Sequence, residues 1–220
     1  MHQAAEVADL VAALEAMHGR RHWHWWPDGD PFEVIVGAIL VQNTAWTNVE
    51  HALRQLREAG ALCHEAMARL STGDLEALIR PSGQFRQKAK KLQAVLATTE
   101  AAGGLDRLLA RPAPELRATL LATWGIGPET ADCIVLYAAR QPAVIVDAYL
   151  RRIFGRLGLG PSEAASYATW QAWLEPRLPR ERDPLSRFHA EVVQHCKHLC
   201  RKANPRCSDC ALARACTVPP

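Results

Sequence analysis

The sequence predicts an all-α protein, and three observations carry that expectation. Apolar residues recur at spacings of three and four along most of the 220 residues, the period of a helix with one buried face. Alanine and leucine dominate an apolar content of 49%, and β-branched runs are rare outside 34–41 and 143–146, so few segments favour strands. Proline, glycine and small polar residues interrupt the periodic segments where helices start and stop.

The first expected helix, 5–17, is amphipathic and carries Glu6, Asp9 and Glu15, which suits neither a secretory nor a transit peptide. The next, 31–41, begins with Asp30 ahead of Pro31, an N-cap followed by a first-turn proline. Thr44 and Thr72 can cap helices over 44–58 and 73–79, with 63–70 between them and Gly60 as a stop. Helices over 86–101 and 104–110 meet at Gly103-Gly104, and others are expected over 114–123, 128–139, 148–156, 162–175 and 184–197, with Ser162 behind Gly160-Pro161. No internal repeat or Gly/Ser linker divides the chain, and no apolar run is long enough to cross a bilayer.

Four of the seven cysteines, Cys200, Cys207, Cys210 and Cys216, crowd the C-terminal segment as C-x6-C-x2-C-x5-C. One tight pair with wider gaps on both sides suits a cubane iron-sulfur cluster better than a zinc ribbon, which joins two C-x2-C knuckles. Four thiolates also suit zinc, which stays the alternative. A disulfide framework fits poorly, because seven cysteines cannot all pair and a chain this long can bury a core without staples. The expected compartment is reducing and cytoplasmic. Cys63 and Cys133 lie in apolar helical contexts and read as small buried hydrophobes, and Cys196 as a packing thiol one helical turn before Cys200.

A net charge of +3 does not by itself mark a nucleic-acid binder. Its distribution says more: Arg86, Lys88, Lys90 and Lys91 form one cluster, and Arg187, Lys197, Arg201, Lys202 and Arg206 surround the cysteines. Between the clusters, Thr123-Trp124-Gly125-Ile126-Gly127-Pro128-Glu129-Thr130 joins two helical segments. Gly125 and Gly127 admit backbone angles closed to other residues and let a ligand approach, and N–H groups at the second helix start can take a phosphate oxygen. A plain helix-helix corner would use the same residues. Farther on, Val144-Ile145-Val146-Asp147-Ala148-Tyr149 sets a carboxylate between an apolar extended run and a helix.

The hairpin, the Val146-Asp147 junction and the cysteine motif, in this order and spacing, resemble the helix-hairpin-helix DNA glycosylases of the endonuclease III group. The resemblance covers nearly the whole chain. It implies a two-lobed helix-hairpin-helix DNA glycosylase fold with an iron-sulfur cluster loop: a six-helix barrel domain over 23–141 and a cluster domain from 1–22 plus 142–220, with the DNA cleft between them. It also implies a 4Fe-4S cluster on the four cysteines and double-stranded DNA containing damaged bases as partner. A nucleoid-associated monomer with no membrane contact is expected. Residue by residue, Asp147 matches the family's catalytic aspartate, whose carboxylate stabilises an oxocarbenium-like sugar or activates water. It can also act as an N-cap. Gln42 matches the residue that fills the gap left by an extruded base, and Arg86, Lys88, Gly125 and Gly127 are expected on the DNA backbone.

One departure narrows the reaction. Strand-nicking members carry a lysine two residues after the second hairpin glycine, and this chain has Glu129. A carboxylate cannot form the imine of that reaction, so a monofunctional glycosylase is expected, with Glu129 helping to position water or base. The hairpin and Val-Asp-Ala-Tyr are similar to the branch related to 3-methyladenine DNA glycosylases, and Trp25, Trp26, Trp46 and Tyr149 would line a π-rich pocket for a cationic alkylbase. Two alternatives remain: an endonuclease III-type enzyme for oxidised pyrimidines with weak lyase activity through another amine such as Lys88, and a non-catalytic protein that binds DNA damage or structure.

Overall fold

The structure, a computed structural model, describes residues 2–19 and 29–217. Helix follows helix, and no strand occurs among the described residues. The chain divides into two compact units: Asp28–Gln141, and Met1–Pro27 with Pro142–Pro220. Among the described residues, no helix is long and apolar enough to cross a membrane.

The first unit is organised around α2 (Pro31–Leu40). Asp30 caps it by accepting the Glu33 N–H at 2.8 Å, and from Val34 to Leu40 every residue is buried. A helix that is apolar all round must lie inside, which is why the β-branched run here is helical. Around it pack α3 (Trp46–Glu58), α6 (Phe85–Ala101), α9 (Pro128–Cys133) and the wider π-helical turn Ile134–Ala138 that continues α9. The smaller helices α4 (His64–Ala68), α5 (Thr72–Leu78), α7 (Leu105–Leu109) and α8 (Ala113–Ala122) complete the unit.

Several starts differ from expectation for local reasons. Ser71, not Thr72, caps α5, its hydroxyl accepting the Asp74 N–H. Ala45 occupies the cap position of α3 while Thr44 accepts from the Asn48 side chain instead. Cys63 sits at the start of α4 and is exposed, because the helix it was expected to lie within begins one residue later.

In the second unit, α1 (His2–His18) lies along α12 (Arg182–His198), and α10 (Ala148–Arg156) packs on α12 as well. Helix α11 (Tyr167–Leu174) begins at Tyr167 rather than near Ser162, since Ser166 provides the cap by accepting the Thr169 N–H. Phe154, Trp170, Trp173 and Phe188 meet edge to face, the arrangement that ring quadrupoles favour. The α1–α12 contact also contains Glu191, 3% exposed, with Oε1 unpartnered. Burial, then repulsion from Glu15, pushes its carboxyl up to about 7 against the pull of Arg187.

This shift gives a pH dependence with a definite sign. The Glu191 carboxyl is neutral in folded and unfolded chains below 4.5 and charged in both well above 7. Between those values the folded chain holds the extra proton, so stability falls as pH rises. Glu191→Gln, which cannot charge, is expected to melt about 3 °C or more above the native protein at pH 8, with the gap closing toward pH 5. Equal melting temperatures at pH 8 would contradict this account.

Candidate nucleic-acid interface and active site

The hairpin between α8 and α9 is held from both sides. Arg117 on α8 makes a two-pronged ion pair with Asp132 on α9, Nε to Oδ1 at 2.7 Å and Nη2 to Oδ2 at 3.2 Å, and Asp132 is 1% exposed. Such a pair is demanding in geometry and strong where water is excluded. Inside the turn, the buried Thr123 hydroxyl pairs with Thr98 and with the Thr119 carbonyl, and Ile126 is buried.

The two hairpin glycines have different reasons to be glycine. Gly125 has φ of +81°, and a Cβ there would stand 2.5 Å from Cγ of Lys91. Gly127 has φ of −92° and ψ of 175°, ordinary for any residue, so the expectation that both need unusual angles is corrected. A Cβ at Gly127 would meet nothing within 4 Å.

Lys91, with its stem laid against Gly125, donates from Nζ to Oε1 of Gln42. The other end of that amide, Nε2, donates to Oγ1 of Thr130 on α9 at 3.0 Å. Gln42 is thus held in one orientation by a cation and a hydroxyl. Glu129 is exposed in the first turn of α9.

Lys88 corrects the expected phosphate contacts. It is 1% exposed, and its ammonium donates to the carbonyls of Leu40 at 2.8 Å and Ser82 at 2.6 Å. Burial, then the charge of Lys91, lowers it to about 8. It closes the end of α2 and cannot reach a phosphate. Arg86 stays solvent-facing, 4.0 Å from Glu76 and stacked beside Phe85. Trp46 is half-buried, with its indole N–H on Glu50 of the same helix at 2.9 Å. Trp25 and Trp26 lie outside the described residues.

In the other unit, Asp147 is 8% exposed and serves as N-cap of α10, Oδ1 accepting the Leu150 N–H at 2.7 Å. Its second oxygen, Oδ2, faces Nε2 of the buried His189 at 3.7 Å. Tyr149 is half-buried with the Arg152 guanidinium 5.1 Å from its ring centroid, and burial followed by the Asp147 charge raises its phenol above the ordinary value.

The same helix reaches the cysteine loop. Arg152 donates to the Cys200 carbonyl at 2.9 Å, and Arg156 to the Cys200 sulfur at 3.2 Å and the Arg201 carbonyl at 2.8 Å. All seven cysteines are free of disulfides. Cys200, Cys207, Cys210 and Cys216 line one cavity of about 30 Å³ whose apolar wall includes Ile153, Leu157 and Leu199. Among the described residues, no three His, Cys, Asp or Glu side chains converge on a single metal ion. A hydrogen bond from Cys196, with Arg156 and Arg152 opposing burial, lowers the Cys200 thiol to about 5, toward the thiolate that binds metal. Cys196 itself is buried, points at the Tyr149 carbonyl and does not line the cavity.

The profile of the HhH-GPD superfamily base excision DNA repair proteins matches residues 36–176, spanning the hairpin and Asp147. The chain belongs to this superfamily. A Methanocaldococcus jannaschii protein named "Putative DNA repair glycosylase MJ1434" is 38% identical over 198 residues, covering 89% of each chain. Helicobacter pylori 3-methyladenine DNA glycosylase, solved with 1,N6-ethenoadenine, is 25% identical, with a TM-score of 0.76 over 87% of this chain and 97% of that one. An endonuclease III in a non-covalent DNA complex shares the fold, with a TM-score of 0.83 at 22% identity over 99% of this chain and 96% of the other. As an HhH-GPD protein, the chain is a base excision repair DNA glycosylase.

Sequence reasoning placed Lys91 only in a basic cluster, and missed Thr130, His189 and the Arg117–Asp132 pair as parts of these sites. Asp132 carried a readable signal, a carboxylate directly before the apolar run 133–139. The glycine contrast is testable: Gly125→Ala is expected to lower stability by about 1–3 kcal/mol, while Gly127→Ala leaves the melting temperature within about 1 °C. Equal losses in both variants would contradict the different roles assigned to the two positions.

Proposed function

We propose that this glycosylase is monofunctional and releases alkylated purines from double-stranded DNA, leaving an intact strand with an abasic site. The observation that carries the reading is the set of groups beside the hairpin. Position 129 holds an exposed carboxylate, the Lys88 ammonium is buried on two carbonyls, and the Lys91 ammonium is engaged by Gln42. An imine needs a free amine nucleophile, and neither of these lysines supplies one. The likeness to the H. pylori 3-methyladenine enzyme supports alkylated purines as substrate class. These lesions carry weakened glycosidic bonds, so a single carboxylate suffices.

In this reading Asp147 supplies that carboxylate. Oδ1 is fixed by the Leu150 N–H, leaving Oδ2 to face the sugar or a water, with His189 beside it. As C1′ gains positive charge on departure of the base, a fixed negative oxygen stabilises it, and water completes the hydrolysis. Gln42, steadied by Lys91 and Thr130, fills the space left by the extruded nucleotide and offsets part of the unstacking cost. Gly127 and Arg86 face the backbone phosphates.

The four cysteines are proposed to hold a 4Fe-4S cluster. The four line a common cavity, and no residue from 199 to 217 is buried, so the loop has no core of its own. Thiolate-iron bonds supply the folding energy that such a segment lacks.

Three outcomes follow. With methylated duplex the protein is expected to release free base, with strand breaks only after alkali; breaks without alkali, or release only from thymine-glycol duplex, would favour the endonuclease III-type reading. Asp147→Asn should lose base release by about 100-fold or more while retaining DNA affinity, and full activity would remove Asp147 from the mechanism. Cys207→Ala should lower bound iron and sulfide, expose residues 200–217 to protease and weaken DNA binding; unchanged protection and affinity would refute the structural role of the cluster.

A further inference from the structure

Val144-Ile145-Val146, the apolar run that leads into Asp147, is buried, at 7%, 3% and 2% exposure. Its residue types favour a strand, yet residues 141–147 form neither strand nor helix, and among the described residues no backbone hydrogen bond reaches 142–146. Buried N–H and C=O groups need partners, and here side chains supply them. The Tyr167 hydroxyl accepts the Val146 N–H at 3.3 Å and donates to the Val144 carbonyl at 3.4 Å. Gln171 donates from Nε2 to the same carbonyl at 3.1 Å. Positions four apart share a helix face, so one face of α11 stands in for a neighbouring strand.

That clamp is itself fixed from α10. Arg151 donates from Nη1 to the carbonyls of Glu163, at 2.9 Å, and Ala165, just before Ser166 caps α11. The Asp147 carbonyl in turn accepts the Arg151 N–H at 3.1 Å. The chain therefore closes on itself around the aspartate: residues 144–146 are held by α11, the start of α11 by α10, and α10 begins at Asp147. The Leu150 N–H fixes Oδ1, but a cap sets the direction of a side chain relative to its own helix. Where that helix starts is set by the backbone just before it, which the Tyr167 hydroxyl holds one residue away.

We propose that Tyr167, with Gln171 beside it, is a positioning residue for Asp147, holding the preceding backbone so that Oδ2 stands at a fixed place for the sugar. This rests on the reading above that Asp147 is the reacting carboxylate, and it adds a residue that acts through it. In this role Tyr167 touches neither sugar nor base. A fixed charge stabilises a developing cation only from the right place, and a displacement of about 1 Å in a reacting group can cost about 100-fold in rate. Loss of the hydroxyl removes the acceptor of the Val146 N–H and one of two donors to Val144, while the ring remains.

The test compares the native protein with Tyr167→Phe, Gln171→Leu, Asp147→Asn and the combination of Tyr167→Phe with Asp147→Asn. Measured are single-turnover release of methylated purine, melting temperature, and affinity for two duplexes, one undamaged and one with a cationic pyrrolidine in place of a single sugar. The pyrrolidine carries the positive charge of the transition state, so the ratio of the two affinities reads the placement of the carboxylate. Tyr167→Phe is expected to slow release about tenfold and to lower that ratio about tenfold. Its affinity for undamaged duplex should be unchanged, and its melting temperature slightly lower because the Val146 N–H loses its acceptor. Gln171→Leu should show a smaller loss of the same kind. In the Asp147→Asn background, Tyr167→Phe should lower the ratio no further, since groups that act through one another are not additive. A native rate and ratio in Tyr167→Phe overturn the inference, as does an equal loss of affinity for both duplexes or an undiminished effect in the Asp147→Asn background. Should Tyr167→Phe fail to fold, Gln171→Leu decides, and a native ratio there overturns it. Full base release by Asp147→Asn, or none by the native protein, instead refutes the reading on which the inference rests and takes the inference with it.

Discussion

Oδ1 of Asp147 accepts the Leu150 N–H at 2.7 Å, and much of the arrangement of its unit depends on that bond. It starts α10 at a defined residue, and by occupying one carboxylate oxygen it sets the direction of the other. A helix begun there places Arg152 and Arg156 on successive turns of one face, from which they reach the Cys200 carbonyl and sulfur. The cysteine loop, with no buried residue of its own, is thereby tied to the helix that carries the carboxylate. In the proposed mechanism a cap and a reactive group would be the same side chain, and neither role has to be traded for the other, because a carboxylate has two oxygens.

The hairpin unit follows a different logic. Its backbone is positioned by an ion pair and a buried hydroxyl, and its cation by a glycine. Gly125 lets Lys91 lie across the turn, which lets the ammonium hold Gln42 against Thr130. The result is a polar side chain held in one orientation, which would reduce the ordering cost of binding in the proposed role of Gln42. Lys88, three residues earlier on α6, closes the end of α2 instead. Two lysines one helical turn apart thus hold a half-buried amide and the core respectively.

Most helices were legible because their start signals are local. Asp30 before Pro31 caps α2 as read, and the glycines at 60 and 103–104 follow helices that end where expected. Where two small polar residues compete, the pattern named the wrong one: Ser71 caps α5 although Thr72 has the same chemistry, and Ser166 starts α11 although Ser162 stands behind a proline. Each of these residues can accept a backbone N–H, and which one does depends on where the chain turns to pack.

By itself, the sequence determined the all-helical class, the family through the hairpin, Asp147 and the four cysteines, and the absence of an amine at position 129. These depend on residue type and spacing along the chain, which folding does not alter. Only the tertiary structure decided that Lys88 is interior and Lys91 is not, that Gly125 is required by backbone and neighbour while Gly127 is required by neither, that His189 stands beside Asp147, and that Trp124 is left in solvent. Those are facts of direction and of long-range contact. On α6, residues 88 and 91 are neighbours with identical termini, and what separates them is the packing of α2 against one and the hairpin against the other.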